Sequence, residues 1–241
     1  MNKKAFTLVE ISMALLVIAI LMGGVFLGTS LRKQAGIDQL MSMVGKISNA
    51  VVTFEETYKQ LPGDMYNPAT FFVTNAINGN PATTAGNGDG TVSGNEGIYA
   101  FQHLAFAGLL EGNYNGTWIY NRMYKGSVAN SGFYFTNAYT DPIVLRFARM
   151  NFADPDSTVI SGSNLTYSVL SVLDMMKLDQ KYDDGNPATG FIRSFDGSDA
   201  AANACINVSS AYNVSAGAQQ NSEALVCYFD IRIKKNMFTT N

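Results

Sequence analysis

Histidine and cysteine are almost missing: the 241 residues hold one His, His103, and two Cys, Cys205 and Cys227. A four-ligand Cys/His zinc site, an iron–sulfur cluster and a two-His metalloprotease helix cannot be assembled from that stock within one chain. Any nucleophile activated by an imidazole would have to use His103. Charge is scarce as well, 15% against the ~25% of ordinary soluble domains. A net charge of −3 gives no cationic footprint for nucleic acid. What remains is 47% hydrophobic, enough to build one large domain or a domain with an appendage. Such a chain is weakly equipped for polar catalysis.

The apolar residues are unevenly spread. A short basic stretch, Met1-Asn2-Lys3-Lys4-Ala5, leads into Phe6-Thr7-Leu8-Val9-Glu10, and residues 11–28 then carry one polar side chain, Ser12. Those 18 positions approach the ~20 needed to cross the hydrocarbon layer. A secretory signal has an apolar core of ~7–15 residues and a small-x-small cleavage site. Here the run is longer, and Gly28-Thr29-Ser30 matches such a site weakly. A plain membrane anchor fits the length but leaves Glu10 unexplained. A carboxylate costs about 2.5–3.5 kcal/mol at the bilayer centre on insertion scales, and is usually kept for a partner.

A third reading takes in every part. Lys4-Ala5 followed by Phe-Thr-Leu-Val-Glu and a long apolar helix resembles the class III leader of type IV pilins and pseudopilins. The resemblance implies that prepilin peptidase cuts between Ala5 and Phe6 and methylates the new amine of Phe6. It also implies that Glu10 pairs with the Phe6 amine of a neighbouring subunit during assembly. Ala5 stands where the family usually has Gly; it is small enough to be tolerated, and the departure predicts slower cleavage. The positive-inside rule is nearly tied, with Lys3 and Lys4 before the span and Arg32 and Lys33 after it. The resemblance places the N-terminus in the cytoplasm of a bacterial inner membrane, crossed once. The domain then faces the periplasm and ends in a periplasmic or extracellular filament. The implied partners are other pilin or pseudopilin subunits, the peptidase, an inner-membrane assembly platform and the membrane itself. No nucleic acid is expected. Removing Lys3 and Lys4 with the leader takes the net charge to −5.

The resulting division is a leader over 1–5, a helix over 6–61 with its membrane segment at about 8–28, and a globular domain over 62–241. Ile37, Leu40, Val44, Ile47, Val51, Phe54, Tyr58 and Leu61 recur at three- and four-residue steps, one apolar stripe on a helix. Pro62-Gly63-Asp64 is expected to stop it. A rod over 6–60 would be ~80 Å long at 1.5 Å per residue. The remainder has a turn-and-strand composition. Ser93 and Glu96 have capping-box spacing ahead of a helix over 96–110. Strands are expected over 117–124, 132–137, 143–150, 165–172, 190–195 and 225–234, with a short helix over 172–181. The fold class is α+β, with the long helix packed on an antiparallel sheet in the manner of a pilin. Leu61-Pro62-Gly63-Asp64, the stretch from Asn87 to Glu96, and that from Leu178 to Gly185 resemble recurring segments of bacterial pilin-like proteins.

Two chemistries remain for the globular part. Cys205 and Cys227 both follow the membrane segment, and in an exported chain two cysteines imply one disulfide. Ala85, Asn87, Asp89, Gly90 and Glu96 fall on positions one, three, five, six and twelve of an EF-hand loop, with the first ligand missing. Calcium at Asn87, Asp89 and Glu96 therefore competes with a Gly-rich turn whose Glu96 caps a helix. Asp179, Asp183 and Asp184 form a second acidic cluster, read either as a turn or as a calcium site. The expected function is a structural filament subunit, not an enzyme. A tip adhesin would need a groove of exposed aromatics such as Tyr120 and Tyr124. A membrane-anchored enzyme would need a cleft with a perturbed acid pair.

Overall fold

The computed structural model describes residues 7–72, 85–114, 116, 124–126, 130–149, 166–214 and 224–233; within the first helix the side chains of 23–30 and 33 are outside the description. The chain divides into two compact units, 1–42 and 43–241, considered separately below.

In the first unit the helix α1 (Leu8–Tyr58) begins, and its register is set at once. Thr7 precedes it and Glu10 lies three residues on, so the two close a capping box. The Thr7 N–H and hydroxyl both donate to Glu10 Oε2, at 2.9 and 2.8 Å, and the Glu10 N–H donates back to Thr7 Oγ1. Every described side chain from Thr7 to Met22 is exposed, including Leu8, Ile11, Leu15 and Ile18. Among the described residues no helix is long and apolar enough to cross a membrane. The span expected over 8–28 runs into 23–30, whose side chains lie outside the described set.

In the second unit the expected stripe turns inward, with Val44, Ile47, Val51 and Phe54 buried. α1 ends at Tyr58, earlier than the 60–61 expected, because Lys59 takes a left-handed conformation with φ of 56°. Leu61 keeps its burial from the loop that follows. A four-residue helix, α2 (Pro68–Phe71), comes next and has no counterpart in the expectations. α3 (Glu96–Phe106) starts where expected and stops four residues short. Gly108, at φ of 71°, lets the Leu109 N–H reach back to the Leu104 carbonyl at 2.9 Å, a Schellman closure that ends the helix. α4 (Val172–Tyr182) matches its expectation within a residue. Its N-cap Ser171 accepts from the Asp174 N–H and donates to the Asp174 carboxylate.

Five strands form one antiparallel sheet: β1 (Tyr124–Lys125), β2 (Ser131–Ala138), β3 (Asp141–Arg149), β4 (Ile192–Asp196) and β5 (Cys227–Arg232). Their order is β1-β2-β3-β5-β4. Of the expected strand over 117–124, residues 117–123 lie outside the described set. So do Met150 and Lys234 at the ends of two others. The strand expected over 165–172 is not one. Tyr167 and Leu170 make isolated bridges to Arg149 and Cys227, and Ser171 then turns the chain into α4 before a ladder can form.

Side-chain alternation gives the sheet two distinct faces. On one face Phe133, Phe135, Phe147 and Phe229 are fully buried, with Phe133 and Phe147 rings 4.7 Å apart. α3 covers part of this face: the Phe101 ring lies tilted 4.7 Å from that of Phe135, and a Cβ on Gly97 would fall 1.9 Å from the Phe135 carbonyl oxygen. Gly97 is thus required for the close approach. On the other face Arg146 and Asp230 are register partners and form a bidentate ion pair at 2.5 and 2.7 Å. Tyr134 and Tyr228 flank the guanidinium at 5.6 and 5.1 Å.

Candidate functional site

The leader residues Ala5 and Phe6 lie outside the described set, so the N-terminal site begins structurally at Thr7. Glu10 is placed by the capping box, one turn into α1. Both of its hydrogen bonds fall on Oε2. The carboxylate is thereby held at the end of the helix where the backbone N–H groups are unpaired and a cationic amine would be its natural partner. Around it the helix is apolar and exposed, a surface that water solvates poorly and that lipid or another apolar helix would cover.

Cys205 and Cys227 are joined in a disulfide with Cα atoms 5.1 Å apart, as expected. The bond ties the 205–212 hairpin to the start of β5. Asp196, at the end of β4, reinforces it by accepting the N–H groups of Asn203, Cys205 and Ile206. Tyr212 closes the far side. Its hydroxyl donates to Asp179 Oδ2 at 2.6 Å and lies 2.8 Å from the Ser194 hydroxyl, all of it buried.

Asp179, Asp183 and Asp184 do converge, with ligand oxygens within 4.8 Å of one another. Each also ties a loop. Asp179 accepts from Gly185 as well as Tyr212; Asp183 accepts from Phe191 and Ile192 at 2.7 Å; Asp184 accepts from Asn186 and Thr189. Burial pushes Asp179 up to about 6, with repulsion from Asp183 and Asp184 adding to the rise. Burial raises Asp183 too, whereas its hydrogen bonds from Thr189 and Asn186 hold Asp184 below the usual carboxylate range. The cluster offers hard oxygen ligands, and it fastens α4 to the edge strand β4.

The other calcium candidate is arranged as a turn. Glu96 is buried, and its two oxygens accept the N–H groups of Asn87 and Ser93 at 2.9 Å. Asn87 donates to Asp89, and Asp89 accepts from Thr91. The residue that organises the loop is Asp64, which the sequence marks only as part of a helix stop. Its carboxylate is buried and accepts from the Asp89 and Gly90 N–H groups at 3.0 and 2.9 Å. Beside it, the Gly63 N–H donates to His103 Nδ1 at 2.9 Å. His103 is therefore a buried acceptor between Phe54 and Phe72, a packing role. These long-range ties join segments 25 and 40 residues apart and left no local signal in the sequence.

Tyr124 stacks on Phe101 and Tyr114 at 5.6 and 6.0 Å, so it does not supply the exposed ledge an adhesin groove would need; Trp118 and Tyr120 lie outside the described residues. The perturbed acids Asp179 and Asp183 line neither of the two surface recesses beside the end of α1.

The prokaryotic N-terminal methylation motif matches residues 1–26. The N-terminus is that of a type IV pilin-like protein. A class III leader of this kind is a substrate of prepilin peptidase, and it belongs to structural subunits that assemble with other pilins. No curated protein and no solved structure matches the chain. Its α+β architecture, an N-terminal helix and an antiparallel five-stranded sheet, is consistent with the pilin-like leader.

Proposed function

We propose that the chain is a structural subunit of a type IV pilus-like or type II secretion pseudopilus filament. One observation carries the reading: a methylation motif over residues 1–26 runs directly into an exposed apolar helix whose single early carboxylate is Glu10. The peptidase cuts between Ala5 and Phe6 and methylates Phe6. The freed helix waits in the inner membrane with the domain in the periplasm, and an assembly platform then moves it into the filament. Apolar side chains of neighbouring helices replace lipid, so the hydrophobic cost of leaving the bilayer is small. Glu10 Oε2 stays on Thr7, and Oε1 faces the Phe6 amine of the adjacent subunit. The large domain favours a pseudopilin or minor pilin over a major pilin.

The discriminating experiment is Glu10→Ala in a cell carrying a cognate assembly system. Membrane insertion and leader removal should be normal, while sheared filament yield falls to a small fraction of wild type. Wild-type yield from Glu10→Ala would refute the pairing.

A further inference from the structure

Among the described residues an Asn or Asp precedes a glycine at four places: Asn87–Gly88, Asp89–Gly90, Asp184–Gly185 and Asp196–Gly197. Such pairs are chemically fragile. The glycine nitrogen, unhindered by a Cβ, gives up its proton and attacks Cγ of the preceding side chain. An N–Cγ bond forms and closes a succinimide; ammonia leaves from Asn, water from Asp. A water molecule then opens the ring at either carbonyl, leaving aspartate or an isoaspartate whose main chain runs through Cβ. The turns nevertheless need these glycines, since Gly88, Gly90 and Gly185 sit at φ of 73°, 86° and 77°. Asn87, Asp89 and Asp184 are exposed, so burial gives them no shelter.

Hydrogen bonds give it instead. At each pair the nucleophile is engaged. The Gly88 N–H donates to the Asp64 carbonyl at 3.0 Å and the Gly90 N–H to Asp64 Oδ2 at 2.9 Å. The Gly185 N–H donates to Asp179 Oδ1 at 3.2 Å, and the Gly197 N–H to the Val226 carbonyl at 2.8 Å. The electrophile is engaged too. Asn87 Oδ1 accepts the Asp89 N–H, and its amide, the leaving group, donates to Asp89. Asp89 accepts from the Thr91 N–H and hydroxyl, and Asp184 from the Asn186 N–H and the Thr189 hydroxyl. Asp196 accepts the N–H groups of Asn203, Cys205 and Ile206. Each side chain is thus turned forward along the chain, while the glycine N–H is donated elsewhere. Attack on Cγ needs both sets of bonds opened at once. The hydrogen bonds from Thr91 and Thr189 also hold Asp89 and Asp184 below the usual carboxylate range, and a carboxylate is a poorer electrophile than the free acid.

We propose that the buried residues Asp64 and Asp179 act as locks, each holding a glycine nitrogen away from the neighbouring side chain so that exposed Asn–Gly and Asp–Gly bonds resist succinimide formation. Asp64 serves two of the four pairs, and Asp179 serves a third. The protection belongs to the folded domain and holds whether or not the chain assembles.

The test ages the full-length protein in detergent at neutral pH and physiological temperature, folded and in guanidinium chloride. Peptide mapping by mass spectrometry reads conversion of Asn87 as a mass gain and of Asp184 as a separate isoaspartyl peptide. Asn87 should convert about a hundredfold more slowly when folded, the factor for opening three hydrogen bonds at ~1 kcal/mol each. Asp179→Ala frees the Gly185 N–H and should speed isoaspartate formation at Asp184 about fivefold, the factor for one such bond. Asp179→Asn keeps an acceptor for Gly185 and should stay at the wild-type rate. Thr189→Val, at an exposed position, frees one Asp184 oxygen and should also speed the reaction about fivefold; it decides alone if Asp179→Ala does not fold. Equal Asn87 rates in folded and unfolded chains overturn the proposal. So does a wild-type Asp184 rate in Thr189→Val or in folded Asp179→Ala, or an Asp179→Asn rate as fast as that of Asp179→Ala.

Discussion

Replacing Asp179 with Asn should stabilise the domain at neutral pH, because the fold holds that carboxyl where its charge is costly. Its ionisation in the folded chain is pushed up to about 6 by burial, against ~3.9 for an unfolded aspartate. The folded state therefore binds the proton more tightly than the unfolded state. Stability from this group is full below pH ~4, declines as pH rises from ~4 to ~6, and stays low above that. The difference between the folded and unfolded carboxyl corresponds to at most ~3 kcal/mol, and local relaxation brings the expected effect to about 1–3 kcal/mol. Asn keeps the geometry: its oxygen can accept the Gly185 N–H, and its amide can donate to the Tyr212 oxygen while that hydroxyl turns to Ser194. The assay is urea unfolding of the full-length protein in detergent, with a chelator present, from pH 4 to 8. Asp183 is shifted in the same direction and remains in both proteins, so the difference between the two curves reports Asp179 together with its repulsion from Asp183 and Asp184. The variant should have the higher urea midpoint at pH 7, by about 0.3–1 M for each kcal/mol, and the two should converge near pH 4. Curves that stay parallel across this range, or a variant weaker at pH 7, would refute the reasoning.

Two further outcomes follow from the same region. Cys205→Ser with Cys227→Ser opens a link of sequence separation 22 and should cost about 3 kcal/mol, read as a lower urea midpoint; a midpoint unchanged from wild type would count against the staple. Calcium at the Asp179–Asp183–Asp184 cluster predicts a binding heat in calorimetry that Asp179→Asn abolishes, while no heat from wild type would leave the three carboxylates as loop ties alone.

The elements that were legible in the sequence are those whose signal is periodic and local. The three- and four-residue stripe gave α1, the Ser93–Glu96 spacing marked the start of α3, and the strand expected over 225–234 contains β5. Element ends were harder, because they depend on single backbone conformations such as Lys59 and Gly108 in the left-handed region. The segment over 165–172 has strand composition, yet Ser171 caps a helix at once and leaves only bridges. Polar ties were the least legible. Asp64, Asp196 and His103 accept from backbone groups that the fold brings near, and a carboxylate or imidazole in a loop carries no mark of which N–H groups it will meet. The acidic cluster was visible as a cluster, but the burial that sets Asp179 apart from Asp184 was not. At the N-terminus the motif alone was readable, and it was sufficient to find Glu10. The capping box with Thr7 adds how that carboxylate is held.

The mass of the mature N-terminal peptide tests the account most directly. Expressed with prepilin peptidase, the chain should begin at Phe6 and carry an N-methyl group. Retention of Met1-Asn2-Lys3-Lys4-Ala5, or a cut beyond the apolar run near Gly28-Thr29-Ser30, would contradict it.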